Sequence, residues 1–253
     1  MRVLSMMFVV LMMTNITFSM VLNLATLESP PQEFTDSEGN PNGFNIEVIR
    51  EAAKRAGFDI KVVFHPWKRA LQNAFDGEVD GIIDAGYNEE RALHLLYPSE
   101  NIYTEEIFLF KRKGTDLILK DNLSNSPEIS VGVGRGFYYG GIVQDILDRK
   151  GFKNIEEVNS YEQNIKKLIA GRFDALVANE LNAVYEAKKL GVSNQIEKCL
   201  NEKDNQPYLL SSSKTYLAFS KKTVKQELVD KFDQALKEIK KDGTYDKIKK
   251  KYM

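Results

Sequence analysis

Two stretches of this chain, residues 64–91 and 161–190, repeat one order of predicted elements: helix, glycine, short apolar strand, polar loop, helix. Gly77 and Gly171 follow the first helix of each stretch, where glycine accepts the left-handed conformation that ends a helix. A strand–helix–strand order precedes the first stretch, over residues 21–64. This alternation predicts a largely parallel sheet covered by helices, and the repeat predicts two related α/β lobes that face each other.

Local patterns place the elements of the first half. Residues 44–56 put apolar side chains on one face, which predicts an amphipathic helix. Residues 58–64 alternate between apolar and polar, and residues 79–84 are apolar and β-branched, so both are predicted strands. Residues 85–87 are then expected to form a loop at the carboxyl end of a strand, and Asn88 to cap the next helix.

Two loops are candidates for ligand contact. Arg91 follows residues 85–87, and ligands of open α/β sheets bind beyond the carboxyl ends of strands, where a guanidinium suits a carboxylate. On spacing alone, a surface ion pair with Glu90 or another carboxylate is the better interpretation. In the second half, Gly134, Arg135 and Gly136 precede a predicted helix, so the loop either offers backbone N–H groups to an anionic or polar ligand or forms a tight turn.

Composition excludes several classes of protein. The 253 residues suffice for two modest domains, and a formal net charge of −1 gives no basic field for nucleic acid. Cys199 is the single cysteine, which excludes an internal disulfide and a multi-cysteine metal site. His65 and His94 are the only histidines, and no HExxH, P-loop or GxSxG sequence occurs. We therefore expect no metal, no cofactor and no catalytic residue.

The amino terminus has the layout of a secretory signal peptide. Arg2 precedes an apolar run over residues 3–13, and a more polar segment with small residues follows to Ser19. The run is too short to favour a membrane span. We expect residues 1–20 to be removed and the mature protein to be exported in soluble form to the periplasm.

Short motifs in a fixed order along the mature chain resemble those of extracellular solute-binding proteins of the polar amino acid class, family 3, which serve ABC importers. The resemblance covers nearly all of the mature chain. It rests on the following segments: Pro30-Pro31-Gln32-Glu33-Phe34, Gly43-Phe44-Asn45-Ile46-Glu47, Gly77-Glu78-Val79-Asp80-Gly81, Glu90-Arg91-Ala92, Tyr97-Pro98-Ser99, Tyr103, Leu217-Ala218-Phe219-Ser220-Lys221 and Asp242-Gly243-Thr244-Tyr245.

The resemblance implies an α/β fold of the type II periplasmic-binding-protein class, with two lobes joined by two crossing hinge strands. The hinge strands are expected near residues 108–111 and 215–218. The first lobe would comprise residues 21–110 and 216–253, and the second lobe residues 111–215. Ligand would bind between the lobes of a monomer, which would close around it by a hinge motion.

Site residues are implied in the same way. Arg91 matches the residue that pairs with the ligand carboxylate, and Asn179 matches an acidic residue that usually meets the ligand ammonium. Asn179 is neutral and forms no ion pair, so either Glu180 substitutes for it or the ligand is not a standard α-amino acid. The remaining expected ligand contacts lie in loops and aromatic walls: Phe34, Trp67, Gly86, Asn88, Gly136 and Phe137.

The implied function is capture of a small carboxylate-bearing solute, an amino acid or a relative, for an ABC permease in the inner membrane. One alternative is a pair of ligand-sensing lobes for a chemoreceptor or sensor kinase. Another is a dehydratase-like enzyme on the same fold, which would need paired carboxylates in the cleft. Glu28, Glu47 and Glu180 form no convincing pair in the sequence, so a binding protein without enzymatic activity is expected.

Overall fold

A computed structural model describes residues 20–252. The predicted signal peptide lies outside the described residues, apart from Met20. No helix within residues 20–252 is both long and apolar enough to cross a membrane.

Helices and strands alternate along most of the described chain. The α-helices are α1 Phe44–Ala56, α2 Trp67–Asp76, α3 Glu89–His94, α4 Gly141–Asp148, α5 Tyr161–Ile169, α6 Glu180–Lys189, α7 Gln226–Lys241 and α8 Thr244–Lys249. The strands are β1 Met20–Thr26, β2 Phe34–Thr35, β3 Pro41–Asn42, β4 Phe58–Phe64, β5 Gly81–Gly86, β6 Leu95–Leu96, β7 Tyr103–Arg112, β8 Ile118–Leu119, β9 Ser130–Gly134, β10 Asn154–Val158, β11 Ala175–Asn179, β12 Ile196–Lys198, β13 Leu200–Asn201 and β14 Ser211–Ser220.

The main strands follow one hydrogen-bonded order, β10-β9-β11-β7-β14-β5-β1-β4. At each end of this order the pairing is parallel, as the alternation of strands and helices requires. In the middle, β7 and β14 pair antiparallel, from Ser211 opposite Ile107 to Thr215 opposite Tyr103. This pairing lies a few residues before the hinge positions that the resemblance implies.

Buried apolar side chains of the described residues fall into four clusters, two on each side of the β7–β14 pair. Two clusters draw on the chain before residue 104 and after residue 216, and we call this part the first lobe. The other two draw on residues 107–210, which we call the second lobe. Phe137 packs against clusters of both lobes. The exact domain boundaries expected from the sequence stay a prediction.

The apolar periodicity of the sequence predicted helix α1 and strand β4 well, but it did not predict where strand β5 ends. The bounds of α1 and β4 match those expected, and Gly57 ends α1 with φ 86°. The loop expected at residues 85–87 is wrong at its start, because Ala85 and Gly86 continue β5 through pairing with β14. Asn88 caps α3 as predicted, since its side-chain oxygen accepts the backbone N–H of Arg91 at 2.8 Å.

Substitution of Phe232 tests how much the larger buried cluster of the first lobe stabilises the protein. It is fully buried on α7, and its ring centroid lies 6.3 Å from that of Phe58 and 5.5 Å from that of Phe219. We expect Phe232→Ala to lower the free energy of unfolding by about 3–5 kcal/mol through lost contacts and a cavity. Urea denaturation followed by circular dichroism measures this loss. Val184→Ala, at a half-exposed position on α6, should change stability by less than about 0.5 kcal/mol.

Candidate functional site

A small cavity lies between the two lobes beside the β7–β14 pair. Its wall includes Trp67, Asp84 and Arg91 of the first lobe, Phe137 and Tyr138 of the second lobe, and Glu105 of β7. Its volume is about 30 Å³, which is room for a water-sized molecule and far below that of a site holding an amino acid. The lobes must therefore move apart before a larger solute enters.

Arg91 lies in this wall with an unusual set of partners. Its side chain is buried, and its guanidinium donates to the carbonyl oxygens of Gly86 at 2.9 Å and Gly136 at 3.2 Å. The second bond crosses from the first lobe to the second. No ion pair of the described residues involves Arg91, so the expected surface pair with Glu90 is absent from them. Burial lowers the pKa of Arg91, as expected for a cation away from water.

Aromatic rings enclose the guanidinium. Its central carbon lies 5.5 Å from the ring centroid of Trp67 and 5.7 Å from that of Tyr138, distances that allow cation–π attraction. The Trp67 ring also meets Phe137 edge-on, with centroids 6.3 Å apart. Within the described residues, the buried indole N–H of Trp67 has no hydrogen-bond acceptor. The cavity wall thus holds an unused donor next to a cation without a counter-ion.

The two predicted ligand-loop glycines bring the lobes close together at Arg91. A Cβ atom at Gly86 would lie 3.1 Å from the ring of Tyr138. Gly136 has φ +74°, which favours glycine, and a Cβ atom there would lie 2.9 Å from Lys68. Because neither glycine has a side chain, the carbonyl groups of Gly86 and Gly136 can both approach the guanidinium of Arg91. A side chain at either position would hinder this approach.

Asp84 brings an acid into the cavity that the sequence patterns did not reveal. Between the pairs Ala85–Tyr216 and Ile82–Ala218, β5 has two residues where β14 has one. This is a β-bulge, a feature that redirects side chains and is common beside functional sites. Asp84 lies in it with φ 68°, a conformation that few residues other than glycine adopt.

Two buried asparagines hold the acids of the cavity region in place. The side-chain amide of Asn179 donates to Glu105 at 2.6 Å. The amide of Asn45 donates both to Asp84 at 3.2 Å and to Glu33, a buried acid behind the cavity, at 2.7 Å. Glu33, Asp84 and Glu105 have no ion-pair partner among residues 20–252.

These three acids lack a counter-ion in the described part of the chain, and burial raises their pKa values. Burial, reinforced by the charge of Asp84, raises the pKa of Glu105 to about 8. Burial also raises the pKa of Asp84 to about 6, against the smaller opposing effect of its hydrogen bonds. The pKa of Glu33 is raised well above its usual value by burial and then by the charge of Asp84. Near neutral pH, the cluster therefore holds protons that exposed carboxyl groups would release.

Other predicted site residues lie outside the inner cavity. Asn88 borders an open groove that Arg91 also lines, and Phe34 borders a separate groove lined by residues of both lobes. Asn179 is buried and is held at both ends of its side chain, since its oxygen also caps α6 by accepting the N–H of Leu181 at 2.9 Å. Glu180 pairs with Lys198 at 2.6 Å. Ligand contact by these four residues stays a prediction, and this geometry gives no support for Asn179 or Glu180.

The sequence profile of bacterial extracellular solute-binding proteins, family 3, matches residues 22–253. This chain belongs to that family. The Arginine-binding periplasmic protein of Mannheimia haemolytica is 25% identical to this binding protein over 225 residues, which cover 88% of this chain and 87% of the relative.

Solved structures agree on the fold of the binding protein. An ancestral arginine-binding protein bound to arginine superposes with a TM-score of 0.76 at 24% identity, covering 92% of this chain and 98% of the other. A histidine kinase sensor domain with similarity to periplasmic binding proteins superposes with a TM-score of 0.77 at 20% identity, covering 93% and 96%. The type II periplasmic-binding-protein fold expected from the sequence is confirmed.

A second buried contact ties the lobes of the binding protein together through Asn182, which does not itself line the cavity. Asn182 of α6 and Gln32 of the first lobe exchange side-chain amide hydrogen bonds at 2.7 and 3.1 Å. The Asn182 amide also lies 2.9 Å from the hydroxyl oxygen of Ser29 and 3.0 Å from the carbonyl oxygen of Pro30. We call Asn182 and its partners the amide contact. Because all its bonds cross between lobes, separating the lobes breaks it.

We predict that the ligand-free binding protein loses stability as pH rises from about 5 to 8. Folded-state pKa values raised above the ordinary values mean that the folded state binds more protons than the unfolded state in this range, so the free energy of unfolding falls with pH. Urea denaturation at several pH values measures the slope. Glu105→Gln should flatten it, and stability that rose over this range would contradict the assignment.

The amide contact gives a second prediction. Asn182→Ala leaves buried groups of Ser29 and Gln32 without partners, so we expect the free energy of unfolding to fall by about 1–3 kcal/mol. The ligand-free variant should also show a larger radius of gyration in small-angle X-ray scattering, because closure loses a stabilising contact. Asn194→Ala, at an exposed position, is the control and should change neither quantity. An unchanged radius in Asn182→Ala would refute a role in closure.

Proposed function

We propose that this protein captures a small carboxylate-bearing solute, an amino acid or a relative, between its lobes in the periplasm and delivers it to an ABC importer. The observation that carries the proposal is Arg91: a buried guanidinium, with no carboxylate partner in the described chain, in the wall of the interlobe cavity. A buried charge without a counter-ion is costly, and a ligand carboxylate supplies that counter-ion. The arginine-binding relative supports an amino acid ligand.

Lobe separation is the first step of the proposed cycle. In the structure the cavity is too small for an amino acid, and Tyr138 covers Arg91. Opening would carry Tyr138 and Gly136 away from the first lobe and expose the guanidinium. The ligand carboxylate would then bind Arg91, and closure would bury the pair. The ligand stabilises the closed form to the extent that it contacts both lobes, and that form is what a permease would distinguish.

Two other fates of the bound ligand lead to different observations. In the sensor alternative, the liganded lobes contact a receptor, and cells lacking the protein would take up labelled ligand at the normal rate. In the dehydratase alternative, ligand incubated with the protein would be chemically altered. We propose instead that uptake depends on the protein and that the ligand is recovered unchanged, as mass spectrometry of the released ligand would establish.

Arg91→Ala tests the carboxylate site. We expect a carboxylate ligand to lose about 2–5 kcal/mol of binding free energy, because a buried, charge-assisted pair is removed. Arg91→Lys should recover part of the loss, since lysine keeps the charge without the guanidinium fork. Trp67 is the single tryptophan of the chain and lies in the cavity wall, so its fluorescence reports binding directly.

The control for these variants is Arg50→Ala, which removes an exposed arginine of α1 that donates to the carbonyl of Pro41. Its affinity should match that of the unaltered protein. Thermal unfolding of each variant checks that Arg91→Ala still folds without its bonds to Gly86 and Gly136. A folded Arg91→Ala protein that bound the ligand with full affinity would overturn the proposed function.

A further inference from the structure

The cavity wall holds ionisable groups of both signs that form no ion pair with any of residues 20–252. Within the part of the chain that the structure describes, Asp84 and Glu105 line it without a cationic partner and Arg91 lines it without an anionic one. The acids and the arginine do not pair with each other, although all three bound the same small space. In a closed, water-poor cavity each such group is stabilised by an opposite charge that comes from outside.

Two further groups in the wall are unsatisfied. Arg91 carries five N–H donors, of which the structure engages two on carbonyl oxygens. The Trp67 side chain is only 5% exposed and lines the same cavity, and its indole N–H has no acceptor among the described residues. Because these donors are already in place without a ligand, they add to the acids an independent reason to expect a polar occupant.

We infer that Glu105, with Asp84 beside it, is the cation-binding end of the cleft, and that the ligand is a small zwitterion whose ammonium meets these carboxyl groups while its carboxylate meets Arg91. This inference rests on the proposed function. It assigns the ammonium contact to a hinge strand and a β-bulge, and not to Asn179 or Glu180 at the end of β11.

Asn179 is a positioning residue in this arrangement. Its amide nitrogen donates to one oxygen of Glu105 and its carbonyl oxygen caps α6, so both ends of its side chain are held by the protein. By holding one oxygen of Glu105, it leaves the other for the ammonium. Asn45 serves Asp84 similarly, since its amide donates to Asp84 and Glu33 together and lets two acids lie close to each other.

A metal ion is a poorer occupant than an ammonium. Within residues 20–252, no group of three His, Cys, Asp or Glu residues is placed to hold a metal. The titratable groups that interact electrostatically with the two acids are Glu33, Tyr103, Tyr139 and Tyr161, none of which is a cation. Among residues 20–252, neither acid forms an ion pair with a lysine or an arginine. An ammonium adds the single positive charge that one ionised carboxylate needs.

Matched ligand series test the inference. Trp67 fluorescence is titrated with the standard amino acids and with 4-aminobutanoate, and each zwitterion that binds is compared with its analogues. For arginine these are 5-guanidinopentanoate, without the α-ammonium, and agmatine, without the carboxylate. For glutamine they are glutaramate and 4-aminobutanamide. We expect the parent zwitterions to bind at least tenfold more tightly than either analogue. Equal affinity for the analogue without ammonium would overturn the inference.

A substitution at Glu105 tests whether this residue causes the preference for zwitterions. Glu105→Gln keeps the shape and the hydrogen bond to Asn179 and removes only the charge. We expect it to weaken zwitterion binding about 10- to 100-fold and to leave the analogue without ammonium unaffected or tighter, because only the ammonium meets this charge. Asp174→Asn is the control, since its carboxyl accepts bonds from Ser130 within the second lobe, and it should leave every affinity unchanged.

The pH profile separates charge recognition from a structural role. Zwitterion affinity should rise between about pH 6 and 8, as Asp84 and Glu105 lose their protons, and calorimetry in two buffers should show about one proton released per ligand. Asn179→Asp keeps the cap of α6 and puts a second carboxyl against Glu105. In this variant the pH-dependent rise in zwitterion affinity should occur at higher pH, whereas replacement of a purely structural residue would leave its pH unchanged. A rise at the same pH as in the unaltered protein would refute the positioning role.

The two proposals fail in different ways. If no carboxylate-bearing probe binds, or if Arg91→Ala leaves the affinity unchanged, the proposed function is wrong and so is this inference. If carboxylates bind through Arg91 but zwitterions bind Glu105→Gln with full affinity, the proposed function stands and the cation site is wrong.

Discussion

The antiparallel pairing of β7 with β14 is the constraint on which the rest of the molecule depends. It joins two lobes that each have their own buried clusters, and the interlobe cavity lies beside it. Glu105 of β7 and Thr215 of β14 belong to this wall, so the joint between the lobes is also part of the site. A group on a hinge strand keeps its place relative to both lobes better than a group on a distant loop does. In the proposed cation site the charge-recognising residue is Glu105, and its place on this joint would tie ligand contact to the relative position of the lobes.

Much of the fold and one end of the site could be predicted from the sequence. The apolar periodicity of residues 44–56 and 58–64 gives α1 and β4, because burial of one face has a regular spacing. Arg91 could be placed near a strand end and, through family resemblance, opposite a carboxylate. Its burial could not be predicted, because the carbonyl groups that hold it come from positions 86 and 136, far apart along the chain.

The acidic end was missed for physical reasons. Asp84 enters the cavity through a one-residue bulge, and an inserted residue leaves no trace in a short apolar strand. Glu105 precedes residues 108–111, where the resemblance placed a hinge strand, and the observed strand starts earlier, at Tyr103. Both acids depend on partners distant in the chain, Asn45 and Asn179. Local spacing reports which side chains are buried, whereas long-range hydrogen bonds decide which buried acids face the cleft.

The amide contact between Asn182 and Gln32 also bears on the speed of ligand capture. With the lobes held together around a cavity of about 30 Å³, an amino acid cannot enter the cavity by diffusion alone. Only molecules that have already separated their lobes are competent to bind, and the apparent affinity is lowered by the fraction that they represent. The observed association rate would then level off at high solute concentration, at the rate constant for lobe opening. Asn182 and Gln32, neither of which lines the cavity, would then help to set how fast the ligand is captured.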